Sequence, residues 1–108
     1  MTTMVEKNET PFQNKNTHLI LDEIAEECLK LCKFKGWSRD WQGGAIYMPL
    51  EVAEFIEALR GKGDETPASE AGDVLFVLLS VLSHYNISLG EVLVALEKKM
   101  GEVRRGEK

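Results

Sequence analysis

PASEAGDVLFVLLSVLSHY, residues 67 to 85, decides the fold. Pro67 suits a first helical turn and Thr66 can cap it, so a helix starts here. From Val74 to Leu82 every residue but Ser80 is apolar. A helix that is apolar nearly all round has to be covered on most sides. Other helices must cover it, because no stretch of the chain alternates strictly enough for a strand. The apolar run is also far shorter than the roughly 20 residues of a membrane span.

Those other helices are readable on either side. HLILDEIAEECLKLCKF (18–34) sets Leu21, Ile24, Cys28, Leu31 and Cys32 at helical spacing, and Gly36 ends it. KGWSRDWQGG is a loop by its Gly, Ser and Asp content. A second helix runs from about Ala45 or Pro49 to Leu59, and Gly61, Gly63 and Pro67 punctuate the connection to the third. Asn86 to Ser88 break the third helix near Tyr85. Ser88 with Glu91 has capping-box spacing for a fourth helix carrying Val92, Leu93, Leu96 and Met100. The expectation is an all-α, four-helix bundle-like fold over residues 18–105, with a flexible leader at 1–17 and a short tail at 106–108.

Composition narrows the function classes. The 108 residues fit one compact domain, and 44% hydrophobic with 29% charged residues is a globular balance. A net charge of −5 argues against a broad surface for a nucleic-acid polymer. Cys28 and Cys32 are four apart, unlike redox or zinc C-x-x-C spacing, and read as small apolar side chains on one helical face. With no disulfide framework, signal peptide or membrane span visible, a cytoplasmic protein is expected.

The acids hold the chemistry. PLEVAEFIEAL (49–59) places Glu51, Glu54 and Glu57 opposite the stripe Val52, Phe55, Ile56 and Leu59. A solvated face behind a core stripe accounts for such a row on its own. However, Leu50, Ala53 and Ala58 flank these acids, and no Lys or Arg stands four residues after any of them within the helix. The third helix adds Glu70 and Asp73, on an arc with Ser69, Ser80 and His84. Two helices joined by a short connection pack antiparallel, so Glu51/Glu54 and Glu70/Asp73 can face each other. Four carboxylates brought together repel and raise one another's pKa. A divalent cation relieves this, and all-oxygen ligation suits Mg²⁺ or Mn²⁺ rather than zinc or copper. His84 is eleven residues past Asp73, roughly 16 Å along the axis, and reads as a helix-end hydrogen-bonding residue. The Glu-x-x-His pairs of di-iron bundles are absent.

LEVAE (50–54) and EAGD (70–73) resemble the E-E-x-x-E and E-x-x-D motifs of the MazG-like, all-α nucleoside triphosphate pyrophosphohydrolases. Leu50 stands where the first acid of the doublet would be. DVLFVLLSVLSHYNISLGEVL is similar to the family's third helix, break and fourth helix, and Trp37 resembles the Trp ending the first helix in short single-domain members. Lys99, Arg104 and Arg105 fit the end of the fourth helix, with Val103 in place of an Asn. The resemblance implies Mg²⁺-dependent hydrolysis of a (deoxy)nucleoside triphosphate to monophosphate and pyrophosphate, as house-cleaning of non-standard or excess nucleotides. It implies Glu51, Glu54, Glu70 and Asp73 as metal ligands (Mg²⁺, with Mn²⁺ an alternative). Glu54 is then the catalytic residue that positions or deprotonates the nucleophile. Glu57 is open between a further ligand and a bystander. Trp37 and Trp41 could stack on the base or cap the bundle. Lys98, Lys99, Arg104 and Arg105 could meet phosphates or simply solvate a helix end. It also implies self-association as a homodimer or homotetramer, in keeping with a third helix that one chain cannot cover. The alternatives are a non-catalytic helical dimerisation or regulatory module and hydrolysis of phosphoribosyl-ATP.

Overall fold

The computed structural model describes residues 10–107, which are all-helical with no strand among them. Its elements are α1 (Lys15–Lys35), a 3₁₀ turn (Ala45–Tyr47), α2 (Met48–Leu59), α3 (Pro67–His84) and α4 (Leu89–Arg104). Residues 1–9 of the expected leader and Lys108 of the expected tail lie outside the described residues. α1 begins three residues earlier than the sequence suggested. Asn14 Oδ1 accepts from the Thr17 N–H at 3.0 Å, a side-chain cap of the kind that starts a helix. The His18 ring donates from Nε2 to the Phe12 carbonyl at 2.6 Å and ties residues before the helix to it.

The chain forms two compact units. The first holds the described residues up to Glu23 together with those from Ile87 onward. Here Asp22 Oδ1 accepts from the Leu89 N–H at 2.7 Å, satisfying an amide that the start of α4 leaves open. The Ser88–Glu91 capping box forms in both directions: Ser88 Oγ accepts from the Glu91 N–H, and Glu91 Oε1 accepts from the Ser88 N–H. Gly90 is required by close approach, since a Cβ there would lie 2.9 Å from His18 Nδ1.

The second unit, Ile24–Asn86, contains α2 packed on α3. Thr66 caps α3 through Ser69, as expected from TPAS. The connecting residues 60–66 turn at Gly61 and Gly63, both at positive φ. Asn86, at φ 57°, supplies the left-handed residue that stops α3. Ala25, Cys32, Ala58, Val77 and Leu79 are buried. Cys28 is half-buried, and burial followed by the nearby Cys32 pushes its thiol above the ordinary range, in keeping with an apolar rather than reactive role. His84 sets its ring edge-on to Tyr85, centroids 4.8 Å apart, rather than capping the helix.

α3 keeps one apolar side that its own chain leaves open, in line with its near-uniform apolarity. Leu75 is 51% exposed and Leu78 is also exposed, while Val77, Leu79 and Ser80 are buried. On α1, Leu31 and Phe34 face solvent as well. The chain is too short to supply a layer for every apolar face.

The capping box makes a direct stability prediction. Ser88→Ala leaves the Glu91 N–H without its acceptor and should lower stability by about 1 kcal/mol. Urea denaturation followed by circular dichroism reads this, and an unchanged midpoint would contradict it.

Candidate metal centre

Glu51 lies in the first turn of α2 and Glu70 in the first turn of α3, with Asp73 one turn further on. The packing of α2 on α3 brings oxygen atoms of Glu51, Glu70 and Asp73 within 4.8 Å of one another. Glu70 is 9% exposed, and its Oε1 is buried with no hydrogen-bond partner among the described residues. An orphaned carboxylate oxygen is costly unless a cation meets it. Burial, then repulsion from Glu54 and Asp73, pushes the Glu70 carboxyl above its ordinary range. Glu51 is pushed up for the same reasons, again burial first, while Arg39 pulls it partly back. Hard oxygen donors in a tight group, one of them buried and unpartnered, fit a divalent cation of the Mg²⁺ or Mn²⁺ class.

The other acids of the row divide. Glu54 is exposed and lies outside the group of three, though near enough to repel both Glu51 and Glu70. Glu57 pairs with Arg60 at 3.1 Å on the surface, so its place in the row is that of an ordinary (i, i+3) pair.

The loop ahead of α2 builds the wall beside the acids. Asp40 organises it: its Oδ1 accepts from the Gly43 N–H at 2.6 Å and the Ser38 hydroxyl at 3.1 Å, and its carbonyl accepts from the amides of Gly44 and Ala45. The Gly43 amide, above all, holds the Asp40 carboxyl below its usual range. Gly44 admits no side chain, because a Cβ would run into the Arg39 backbone. The Trp41 N–H donates to the Tyr85 hydroxyl at 2.7 Å and fastens the loop to the end of α3. Two cavities open along this wall. One, of about 480 Å³, is lined by Gly36, Trp37, Arg39, Gly43, Tyr47 and Glu51 among others. The second, of about 420 Å³, is lined by Trp37, Arg39, Glu51, Asp73, Phe76 and Val77.

Residues 45–105 match the MazG nucleotide pyrophosphohydrolase domain, more than half of the sequence. The chain belongs to this family. Over 57 residues it is 42% identical to a phosphoribosyl-ATP pyrophosphatase of Cereibacter sphaeroides (strain KD131 / KCTC 12085), covering 53% of this chain and 54% of that protein. Over 55 residues it is 36% identical to the histidine biosynthesis bifunctional protein HisIE of Prochlorococcus marinus (strain MIT 9313), covering 51% of this chain and 25% of that protein. The chain thus spans about half the length of the first relative and a quarter of the second. No solved structure matches it.

The MazG match takes in Glu51, Glu54, Glu70 and Asp73 and stops short of the loop with Trp37 and Arg39. Of the residues singled out for substrate, Trp37 lines both cavities. Trp41 lines neither and is 69% exposed, its backbone rather than its ring being engaged. Lys99 and Arg104 are exposed on α4, in the other compact unit. Sequence reasoning passed over Arg39. Its one signal was position, as a lone cation between Trp37 and Trp41 just ahead of the acidic helix.

The raised Glu70 carboxyl fixes the sign of a pH effect. A native pKa above the ordinary 4.5 means that the folded state holds the proton more tightly than the unfolded chain. That contribution is present below 4.5 and is lost as pH rises through the native value. In chelator, Glu70→Gln should therefore raise the thermal midpoint at about pH 7, with the gain shrinking towards about pH 4. A Glu70→Gln protein less stable than the parent at neutral pH would contradict the strained cluster.

Proposed function

We propose that this MazG domain is a divalent-cation-dependent nucleoside triphosphate pyrophosphohydrolase, with Glu51, Glu54, Glu70 and Asp73 as the metal ligands. The observation that carries the reading is the buried, unpartnered Glu70 Oε1 beside Glu51 and Asp73, in a chain of this family. A bound Mg²⁺ would neutralise charge on the triphosphate oxygens and steady the polyphosphate for in-line attack. Mn²⁺ is the alternative ion.

The rest of the chemistry belongs to the protein. Water attacks the α-phosphorus, the bond between that phosphorus and the α–β bridging oxygen breaks, and pyrophosphate leaves with the bridging oxygen. Glu54 accepts the proton of the attacking water. Its charge is close enough to the cluster to act on Glu70, which supports a role beside the attacking water. Trp37 contributes a ring face to the cavity wall, on which a nucleobase can stack. Lys99 and Arg104 are the remaining candidate phosphate contacts, with Trp41 as a second candidate stacking residue. The substrate class proposed is a (deoxy)nucleoside triphosphate, cleared as a non-standard or excess nucleotide. A second reading, phosphoribosyl-ATP, is favoured by the name of the relative at 42% identity and requires the same bond cleavage.

Self-association as a homodimer or homotetramer belongs to the same proposal. It is supported by the uncovered Leu75 and Leu78 of α3 and by Phe34 of α1, 84% exposed.

Pyrophosphate release from a panel of canonical and modified dNTPs, rNTPs and phosphoribosyl-ATP, with and without Mg²⁺, tests the activity. Turnover of at least one substrate should require the cation, and Glu54→Gln should cost roughly 100-fold or more in kcat. No turnover anywhere on the panel would favour a non-catalytic module. Light scattering on the eluting protein should give a multiple of the 12.1 kDa chain, whereas a stable monomer would remove the oligomer.

A further inference from the structure

Arg39 is 7% exposed, yet it forms no ion pair among the described residues. Its Nε donates to the buried Ser80 hydroxyl at 2.8 Å, and Ser80 in turn donates to the Val77 carbonyl at 3.0 Å. Its Nη1 donates to the Ser38 carbonyl at 3.0 Å. The guanidinium carbon stands 5.9 Å from the Trp37 ring and 5.8 Å from the Phe76 ring. Two neutral oxygens and two aromatic faces thus fix the plane of the group, while Nη2 makes no hydrogen bond to the described residues.

Burying a guanidinium without a counter-charge is expensive, and proteins normally place a carboxylate against it. Two carboxylates, those of Glu51 and Asp73, are close by. Arg39 lines the same cavity as Glu51 and Asp73 and tempers the charge of Glu51, yet among the described residues it forms an ion pair with neither acid. A cation held rigidly near acids, but short of them, leaves room for something that both can bind. A polyphosphate with its divalent cation has that character: the cation meets the carboxylates and a free phosphate oxygen meets the guanidinium. The fork of Arg suits phosphate oxygens, and the aromatic clamp orients it before any ligand arrives.

Resting on the nucleotide reading above, we propose that Arg39 is a substrate-binding residue that contacts a phosphate oxygen of the nucleotide, directly across the cavity from Glu51 and Asp73. Ser80 and Ser38 are its positioning groups. The nucleoside then extends along Trp37 and Tyr47 into the larger cavity, whose about 480 Å³ lies within the usual range for a small-molecule site. The site reaches outside the matched MazG region, into the loop that carries Trp37 and Arg39.

The test is calorimetric titration of inorganic pyrophosphate, and separately of an unphosphorylated nucleoside, into the wild-type protein, Arg39→Lys and Arg39→Gln, all with Mg²⁺. KM is measured on any nucleotide that the wild type hydrolyses. Pyrophosphate affinity should fall at least about tenfold in Arg39→Gln and severalfold in Arg39→Lys, which keeps the charge but loses the fork. KM should rise in parallel, with nucleoside affinity within about twofold of wild type. Arg39→Lys keeps the test available if the glutamine variant does not fold. Pyrophosphate affinity unchanged in a folded variant, absence of pyrophosphate binding to wild type, or an equal loss for the nucleoside would each overturn the assignment. An Arg39-dependent pyrophosphate site in a protein that hydrolyses no nucleotide would instead remove the activity and leave the anion site standing.

Discussion

Repulsion among the carboxylates of Glu51, Glu70 and Asp73 is the constraint around which this chain is arranged. Their oxygens lie within 4.8 Å of one another, and one Glu70 oxygen is buried without a hydrogen-bond partner among the described residues. Left to itself such a group would spread apart or take up protons. It is held by the packing of α2 on α3 and by the helix starts that aim the side chains. Pro49 sits at the start of α2 and Pro67 with the Thr66 cap at the start of α3, so Glu51 and Glu70 both fall in first turns. The stored repulsion has the form expected of a functional site, where local stability is given up for chemistry.

The loop before α2 is the counterpart of that cluster. Asp40 draws in the amides of Gly43, Gly44 and Ala45, and Gly44 lets the chain pass tight against Arg39. The result is a buried cation that shares a cavity with Glu51 and Asp73 without pairing with either among the described residues. Opposite charges kept apart across a cavity are the basis of the proposed site for a ligand that itself carries both signs. That description suits a nucleotide with its metal better than either a bare anion or a bare cation.

Much of this was legible in the sequence, for reasons that differ by element. The caps at Thr66 and Ser88 are local chemistry, so TPAS and SLGE could be read from spacing alone. Glu51, Glu70 and Asp73 were readable because helical periodicity and a short connection together fix which side chains can meet. Glu57 was left open by the same reasoning, and its partner Arg60 stands three residues on, where a rule of four misses it. Arg39 was not readable. Its burial depends on Ser80, 41 positions away, and on two rings brought in by tertiary packing. That one chain leaves part of α3 open was legible too, since a helix apolar nearly all round in so short a chain has more apolar surface than its neighbours can cover.

Glu51, Glu70 and Asp73 are proposed here as a cation site. Electron paramagnetic resonance of Mn²⁺ titrated into the protein tests it most directly, because the free-ion signal falls as the ion binds and no substrate is needed. Saturable binding is expected for the wild-type protein, lost in both Glu70→Gln and Asp73→Asn and retained in Glu57→Gln. Binding that persists unchanged in Glu70→Gln, or that never saturates in the wild type, would contradict it.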